Sequence, residues 1–229
     1  MAAVTDPPEW SGNERVIRVL DDRDQWDTLV ELGARVVAQG GLVVLPTDTV
    51  YGVGCDPFNA GAVDELFKAK GRGRDLPLPV LVHTWRQVVG VVEEITEKAR
   101  LLIAEYWPGP LTIVLRESGG IGWDLGYSRG TVAVRMPKHD FALALIERTG
   151  PLAVTSANRS GVPTPSTIEG VVEQLGGQVD VFFDTGPAGG GPPSTIVDLS
   201  GTGVRVLREG AIPAFEIERV IGEPLADDT

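Results

Sequence analysis

The sequence holds a single cysteine, Cys55, so it can form neither an internal disulfide nor a cluster of thiolate metal ligands. It has only two histidines, His83 and His139, on which any histidine-based zinc site or Ser-His-Asp triad would have to rest. His139 reads as a polar helix start within Met136-Pro137-Lys138-His139-Asp140, and His83 as a surface residue after a strand. Long apolar runs are lacking, which excludes a membrane-spanning helix. Met1 to Asn13 has no basic or apolar stretch and reads as a frayed leader, not a signal peptide, so a cytoplasmic location is expected. The two common phosphate-binding signatures are missing too. No G-x-x-x-x-G-K-[ST] occurs, and Gly71 and Gly73 flank Arg72 at a helix end, not after a strand. Positive charge is scarce: 20 Lys and Arg against 32 Asp and Glu give a net charge of -12. That weighs against a broad basic face for nucleic acid or membrane.

What is present describes a globular chain of 229 residues, 42% hydrophobic and 23% charged. Helical periods run over Asp24–Ala38, Ala60–Lys70, Thr96–Tyr106 and Phe141–Arg148. Ser166-Thr167-Ile168-Glu169 reads as a capping box opening a helix to Leu175, and Pro213–Ile221 as a last helix with proline in its first turn. Apolar runs predict strands at Leu42–Leu45, Val80–Val82, Leu111–Leu115, Thr131–Arg135, Leu152–Thr155, Val179–Phe183, Thr195–Leu199 and Val204–Leu207. Two long loops, Glu117–Gly130 and Gly186–Pro193, read as covers or linkers. The expected fold class is α/β: one domain over residues 15–222, a twisted open mixed sheet with flanking helices. Residues 1–14 would be a flexible leader and 223–229 a short tail.

Several segments carry more polar chemistry than a scaffold needs. Pro46-Thr47-Asp48-Thr49-Val50-Tyr51-Gly52-Val53-Gly54 sets hydroxyls, a carboxylate and a phenol at the end of a buried strand, where α/β proteins build sites. Lys68, Lys70, Arg72 and Arg74 gather cations, which suits either the negative end of a helix or a small anion. Lys70 and Arg72 offer a point charge and a planar fork for different oxygens of one phosphate chain. Both are expected to be largely solvent-accessible, so that removing either shifts stability by less than roughly 0.5 kcal/mol. Thr131, Ala133 and Arg135 share a strand face, and an Arg among apolar neighbours needs an anionic partner, either a structural carboxylate or a ligand. Val154-Thr155-Ser156-Ala157-Asn158, Pro193-Ser194-Thr195 and Leu207-Arg208-Glu209-Gly210 add hydroxyls and another Arg at strand ends. Together these favour a nucleotide-sized anionic ligand.

The strings PTDTVYGVG, KGR, WPGPLT, TVAVRMP, VTSANRSG, PSTIVDL and VLREG, in this order from about Leu42 to Gly210, resemble the YrdC/YciO/TsaC family. Its best-known members are threonylcarbamoyl-AMP synthases. The resemblance implies a sheet around a large concave cavity. It also implies a reaction: L-threonine, bicarbonate and ATP give L-threonylcarbamoyladenylate and pyrophosphate, the first step of modifying adenosine 37 in tRNAs that read codons beginning with A. By matching position, Thr47, Arg135 and Ser194 are implied on the threonine side. Lys70 and Arg72 are implied as the phosphate ligands and the catalytic pair, and Thr131, Ser156, Asn158, Thr164 and Arg208 as further nucleotide ligands. Mg²⁺ with ATP is expected, and no protein metal site. Implied partners are transfer proteins of the TsaD/TsaB/TsaE type and a weak tRNA contact, with no membrane.

The chemistry so implied needs no side-chain nucleophile. The threonine amine takes up carbon dioxide, and a carbamate oxygen then attacks the α-phosphorus of ATP. Catalysis is positioning and charge stabilisation in an enclosed site. The chain departs from the family at Gly73, where proline is usual, and at Leu81, where some members carry a threonine-side histidine, so no such role passes to His83. It resembles the short form without a second domain. Competing readings are a carbamoyl-adenylate carbamoyltransferase, a YciO-like paralogue of weak activity, and a non-catalytic RNA-binding module.

Overall fold

Strands and helices alternate along the chain, and the described residues build one mixed ten-stranded sheet. The computed structural model describes residues 16–19, 23–189 and 191–226, so the leader over 1–14 lies outside the described residues. The chain runs β1 (Val16–Arg18), α1 (Arg23–Ala38), β2 (Val43–Leu45), β3 (Gly52–Cys55), α2 (Ala60–Lys70) and β4 (Val80–Leu81). It continues through α3 (Trp85–Val88), α4 (Glu97–Tyr106), β5 (Leu111–Arg116), β6 (Thr131–Arg135), α5 (Asp140–Thr149) and β7 (Leu152–Ser156). It closes with α6 (Ile168–Leu175), a 3-10 turn at Gly176–Gln178, β8 (Val181–Asp184), β9 (Thr195–Asp198), β10 (Arg205–Arg208) and α7 (Ala214–Ile221). The spatial order is β1-β8-β2-β3-β7-β4-β6-β5-β9-β10. Residues 223–226 lie against this body: Glu223 pairs with Lys98, and the Ala226 amide donates to the Val204 carbonyl.

The apolar run at β2 is buried on both faces, as its composition requires. Val44 joins a core with Val63 and Leu66 of α2, Leu102 of α4, Val171 of α6 and Ile217 of α7. Val43 and Leu45 join the opposite core with Val36 and Val37 of α1 and with Phe141, Leu145 and Ile146 of α5. This second core takes Leu81, Leu152, Val154, Val181 and Phe183 from the sheet but no residue of β5, β6 or β9. On that face those strands keep an uncovered stretch, and it holds the site.

Most elements fall within two residues of their predicted bounds, and the differences have local causes. Strand β3 is not among the strands that the apolar runs predict, because its glycines break the run. A Cβ on Gly52 would stand 2.6 Å from Val154 Cγ1, so the glycine is what lets β3 lie against β7. The capping box is displaced by one residue: Thr167, not Ser166, caps α6, with its hydroxyl accepting from the Gly170 amide. Pro213 is the cap of α7 and not part of its first turn. Strand β1 and helix α3, of three and four residues, are too short to show a period.

Candidate active site

The Thr47 turn follows directly from β2. Thr47 Oγ1 donates to the Val50 carbonyl at 2.6 Å and accepts from the Thr49 and Val50 amides at 3.2 Å, which fixes the turn and buries Thr47 and Thr49. Arg135, the last residue of β6, reaches this turn. Its Nε donates to the Gly109 carbonyl at 3.0 Å, Nη1 to Thr49 Oγ1 at 3.0 Å, and Nη2 to Asp48 Oδ1 at 2.6 Å. Of the five N–H donors of a guanidinium, three are thus taken, leaving one on each terminal nitrogen. That remaining pair suits the two oxygens of a carboxylate. Asp48 is the structural carboxylate that the strand pattern left open, and its Oδ2 is buried without a hydrogen-bond partner.

The second cationic group forms at the end of α2. Gly71 takes the left-handed conformation at φ +56°; its amide donates to the Lys68 carbonyl and that of Arg72 to the Phe67 carbonyl. This helix stop turns Lys70 and Arg72 to the end of β7. The Lys70 ammonium donates to the Ser156 and Asn158 carbonyls and to Asn158 Oδ1, so it does not serve the helix end. Arg72 donates to the Leu76 and Pro77 carbonyls and to Thr155 Oγ1. Lys68 and Arg74, by contrast, pair with Glu65 and with Asp64 and Asp124. The run of four cations therefore divides into two ion-paired surface residues and two residues turned to the end of β7.

The expected accessibility of Lys70 and Arg72 is corrected here: Lys70 is 2% exposed and Arg72 is half-buried. The helix end packs beneath the turn after β7, and the Lys70 stem lies inside.

Arg208, at the end of β10, donates to the Ser194 carbonyl through Nε at 3.1 Å and Nη2 at 2.7 Å, and to Ser194 Oγ at 3.1 Å. Among the described residues neither Lys70, Arg72 nor Arg208 has a carboxylate in salt-bridge contact. Burial pushes all three below their ordinary pKa, Lys70 to about 8; the like charge of Arg72 lowers Lys70 further, and that of Arg208 lowers Arg72. A protein of net charge -12 thus sets three cations on neutral oxygens, Lys70 buried, Arg72 half-buried and Arg208 exposed. Such an arrangement favours an anion.

One cavity of about 500 Å³ joins these groups. Its wall includes Thr47, Arg72, Arg135, Ser156, Thr164, Ser194 and Arg208 of the expected site. Lys70 and Asn158 stand behind the wall, where Asn158 Oδ1 accepts from both Lys70 and Thr164 Oγ1. Thr131 is not on the wall; it sits at the outer end of β6 opposite Arg116, bonded to the Ser128 carbonyl. Thr49, Thr112 and Thr155 are on the wall and were not singled out individually. The PTDT and VTSAN strings held that signal for two of them; WPGPLT held it for Thr112.

Of the two long loops, only Gly186–Pro193 borders the cavity, through Gly191 and Pro193. It is tied down by the buried Tyr51 hydroxyl, which donates to the Gly186 carbonyl. Loop Glu117–Gly130 packs elsewhere: Trp123 stacks on Phe58, and the Leu125 carbonyl accepts from the Leu78 amide. His83 is half-buried, with Nδ1 enclosed, where the sequence placed it on the surface. His139 stands at the start of α5, as expected, without a side-chain cap bond, and burial lowers its pKa.

The Lys70 shift has a stability consequence with a definite sign. Its folded pKa, about 8, lies below the ordinary 10.5, so between those values the unfolded chain binds more protons. Stability from this group therefore rises as pH increases from about 8 to 10.5. Buried Cys55, its thiol pushed up to about 12, works in the opposite direction above 9. Urea midpoints of the natural protein and Lys70→Met, compared across this range, isolate the lysine. The variant is expected to lack the rise; parallel curves would contradict it.

The family model described as Telomere recombination, covering the Sua5, YciO and YrdC proteins, matches residues 35–210. A putative threonylcarbamoyl-AMP synthase of Mycobacterium tuberculosis is 47% identical over 186 residues, 81% of this chain and 86% of that protein. The structure of Pyrococcus abyssi Sua5 complexed with L-threonine superposes with a TM-score of 0.84 at 38% identity, over 92% of this chain and 61% of that one. Escherichia coli YciO superposes with a TM-score of 0.79 at 25% identity, over 88% of this chain and 98% of that one. A buried Arg clamp, unpaired cations around a single cavity and a match across most of the chain agree: this protein belongs to the Sua5/YciO/YrdC family.

Proposed function

We propose that this protein is a threonylcarbamoyl-AMP synthase, an adenylyl-transferring enzyme that makes L-threonylcarbamoyladenylate and pyrophosphate from L-threonine, bicarbonate and ATP. The observation that carries this reading is the gathering of three arginines, Arg72, Arg135 and Arg208, around one cavity. Arg135, with one N–H free on each terminal nitrogen, holds the amino-acid carboxylate. Arg72 and Arg208 face the same cavity without carboxylate partners and take the phosphates.

In this reading Thr47 and Ser194 line the amino-acid side, and Ser156 and Thr164 the nucleotide side. Lys70 acts from behind, holding the turn through Ser156 and Asn158 and lending its charge to the phosphates. Thr131, off the wall, contributes through the end of β6. The amine of bound threonine takes up carbon dioxide, and a carbamate oxygen displaces pyrophosphate from the α-phosphorus. Enclosure protects the carbamate and the mixed anhydride from water. Mg²⁺ enters as the ATP complex, carried on phosphate oxygens.

The product is consumed by a transfer to adenosine in tRNA, made by partner proteins of the TsaD/TsaB/TsaE type, in the cytoplasm. No helix among the described residues is long and apolar enough to cross a membrane. An RNA-binding module is not favoured, because Arg72, Arg135 and Arg208 converge on one cavity instead of spreading over a face. A YciO-like role is not favoured either, given 47% identity to a putative synthase and 25% to YciO. Pyrophosphate release tests the proposal: it is expected to require ATP, bicarbonate and threonine together. Release independent of threonine would contradict it.

A further inference from the structure

Thr112 is buried in the cavity wall, and no role has been attached to it so far. On β5 its neighbours Ile113 and Leu115 point into the large core, while Thr112 points the opposite way. The β5–β6 ladder pairs Ile113 with Val134 and Val114 with Ala133, so one step further Thr112 stands opposite Arg135. On its other side β9 pairs Ile196 with Thr112, and Thr112 Oγ1 lies 2.9 Å from Ser194 Oγ. Thr112 therefore sits between the carboxylate clamp and the residue that Arg208 grips.

The hydrogen-bond arithmetic of this pair is restrictive. Each hydroxyl has one hydrogen and two lone pairs. Arg208 Nη2 donates into one lone pair of Ser194 Oγ. One hydroxyl hydrogen joins Thr112 to Ser194, in whichever sense. One hydroxyl hydrogen of the pair is left over, and Thr112 Oγ1 has no other hydrogen-bond partner among the described residues. The spare donor and a spare lone pair both belong to buried residues, 4% and 6% exposed, beside the cavity. A ligand hydroxyl can satisfy both; a methyl group leaves a buried donor unmatched.

Resting on the proposed function, we infer that Thr112 is a specificity-determining residue that, with Ser194, reads the side-chain hydroxyl of the amino acid held by Arg135. The geometry of the strands fixes the scale. Residues opposite one another on one sheet face stand about 4.5 to 5.5 Å apart at Cβ. An amino acid whose carboxylate lies on Arg135 carries its β-carbon two bonds away, over Thr112. The ligand class is a β-hydroxy-α-amino acid, and the competitor rejected is the isosteric valine. A site built to bond a hydroxyl discriminates far more strongly than one that only measures size.

The test uses the purified full chain, with pyrophosphate release measured against threonine and against valine, each at saturating ATP and bicarbonate. Thr112→Val is expected to narrow the threonine-over-valine ratio of kcat/KM by at least about tenfold, chiefly through the threonine KM and not the ATP KM. Thr112→Ser is expected to restore it. Thr112→Ala carries the same expectation as the valine variant and leaves no excess volume, should that variant not fold. A natural protein that is active with threonine and whose hydroxyl-free variants keep its preference overturns the role of Thr112 alone. A natural protein with no threonine-dependent release overturns the proposed function itself.

Discussion

Replacing Arg135 by alanine is expected to abolish measurable threonine-dependent turnover and, at the same time, to weaken the fold. Arg135 is 7% exposed and ion-paired with Asp48. Its removal takes the ionic partner from Asp48, leaving Oδ1 with the Lys138 amide and Oδ2 still without a partner. Losing one member of a buried pair costs about 3 to 5 kcal/mol. The alanine variant alone therefore cannot separate binding from folding, and Arg135→Lys is the informative one. It keeps the charge for Asp48 but loses the fork that leaves a donor on each terminal nitrogen. We expect a folded protein whose threonine affinity, by calorimetry, drops about ten- to a hundredfold, the worth of a charge-assisted hydrogen bond. Unchanged affinity in a folded lysine variant would make Arg135 purely structural.

Arg72→Ala is expected to slow pyrophosphate release about a hundred- to a thousandfold, as loss of a preorganised donor to developing charge does elsewhere. Its three bonds go to two carbonyls and Thr155 Oγ1 near the mouth of the wall, so a smaller effect on melting is expected. Lys70→Ala is expected to differ. Its ammonium satisfies three oxygens at 2% exposure, and leaving buried acceptors unmet costs about 1–3 kcal/mol each. That variant should melt early as well as turn over slowly. Melting temperature and pyrophosphate release, measured on both variants, decide the matter. An Arg72→Ala protein that releases pyrophosphate at the normal rate per folded molecule would remove Arg72 from the phosphate site.

The parts of this fold legible in the sequence are those governed by local periods. The two-sided burial of β2 followed from Val43-Val44-Leu45, and the alternation in β6 placed Ala133 and Arg135 on one face. What stayed hidden depends on contacts distant in sequence. Strand β3 rests on a close approach between Gly52 and Val154 that no propensity records. The carboxylate facing Arg135 could be named only once β6 and the Thr47 turn were side by side, 87 residues apart. Lys70 read as exposed because it sits in a charged run. Its partners, Ser156 and Asn158, arrive from β7, 86 and 88 residues later. Thr112 looked like an ordinary strand threonine, since its partner Ser194 is 82 residues away.

The central claim is that one cavity joins the carboxylate of an amino acid to the phosphates of ATP through a carbamate. Incubating the purified protein with ATP, radiolabelled bicarbonate and each amino acid in turn tests it most directly. The account predicts label in an adenylate with threonine and not with valine, and loss of that label in Arg72→Ala and Arg135→Lys. Label that appears in an adenylate without any amino acid, or equally with every amino acid, would contradict it.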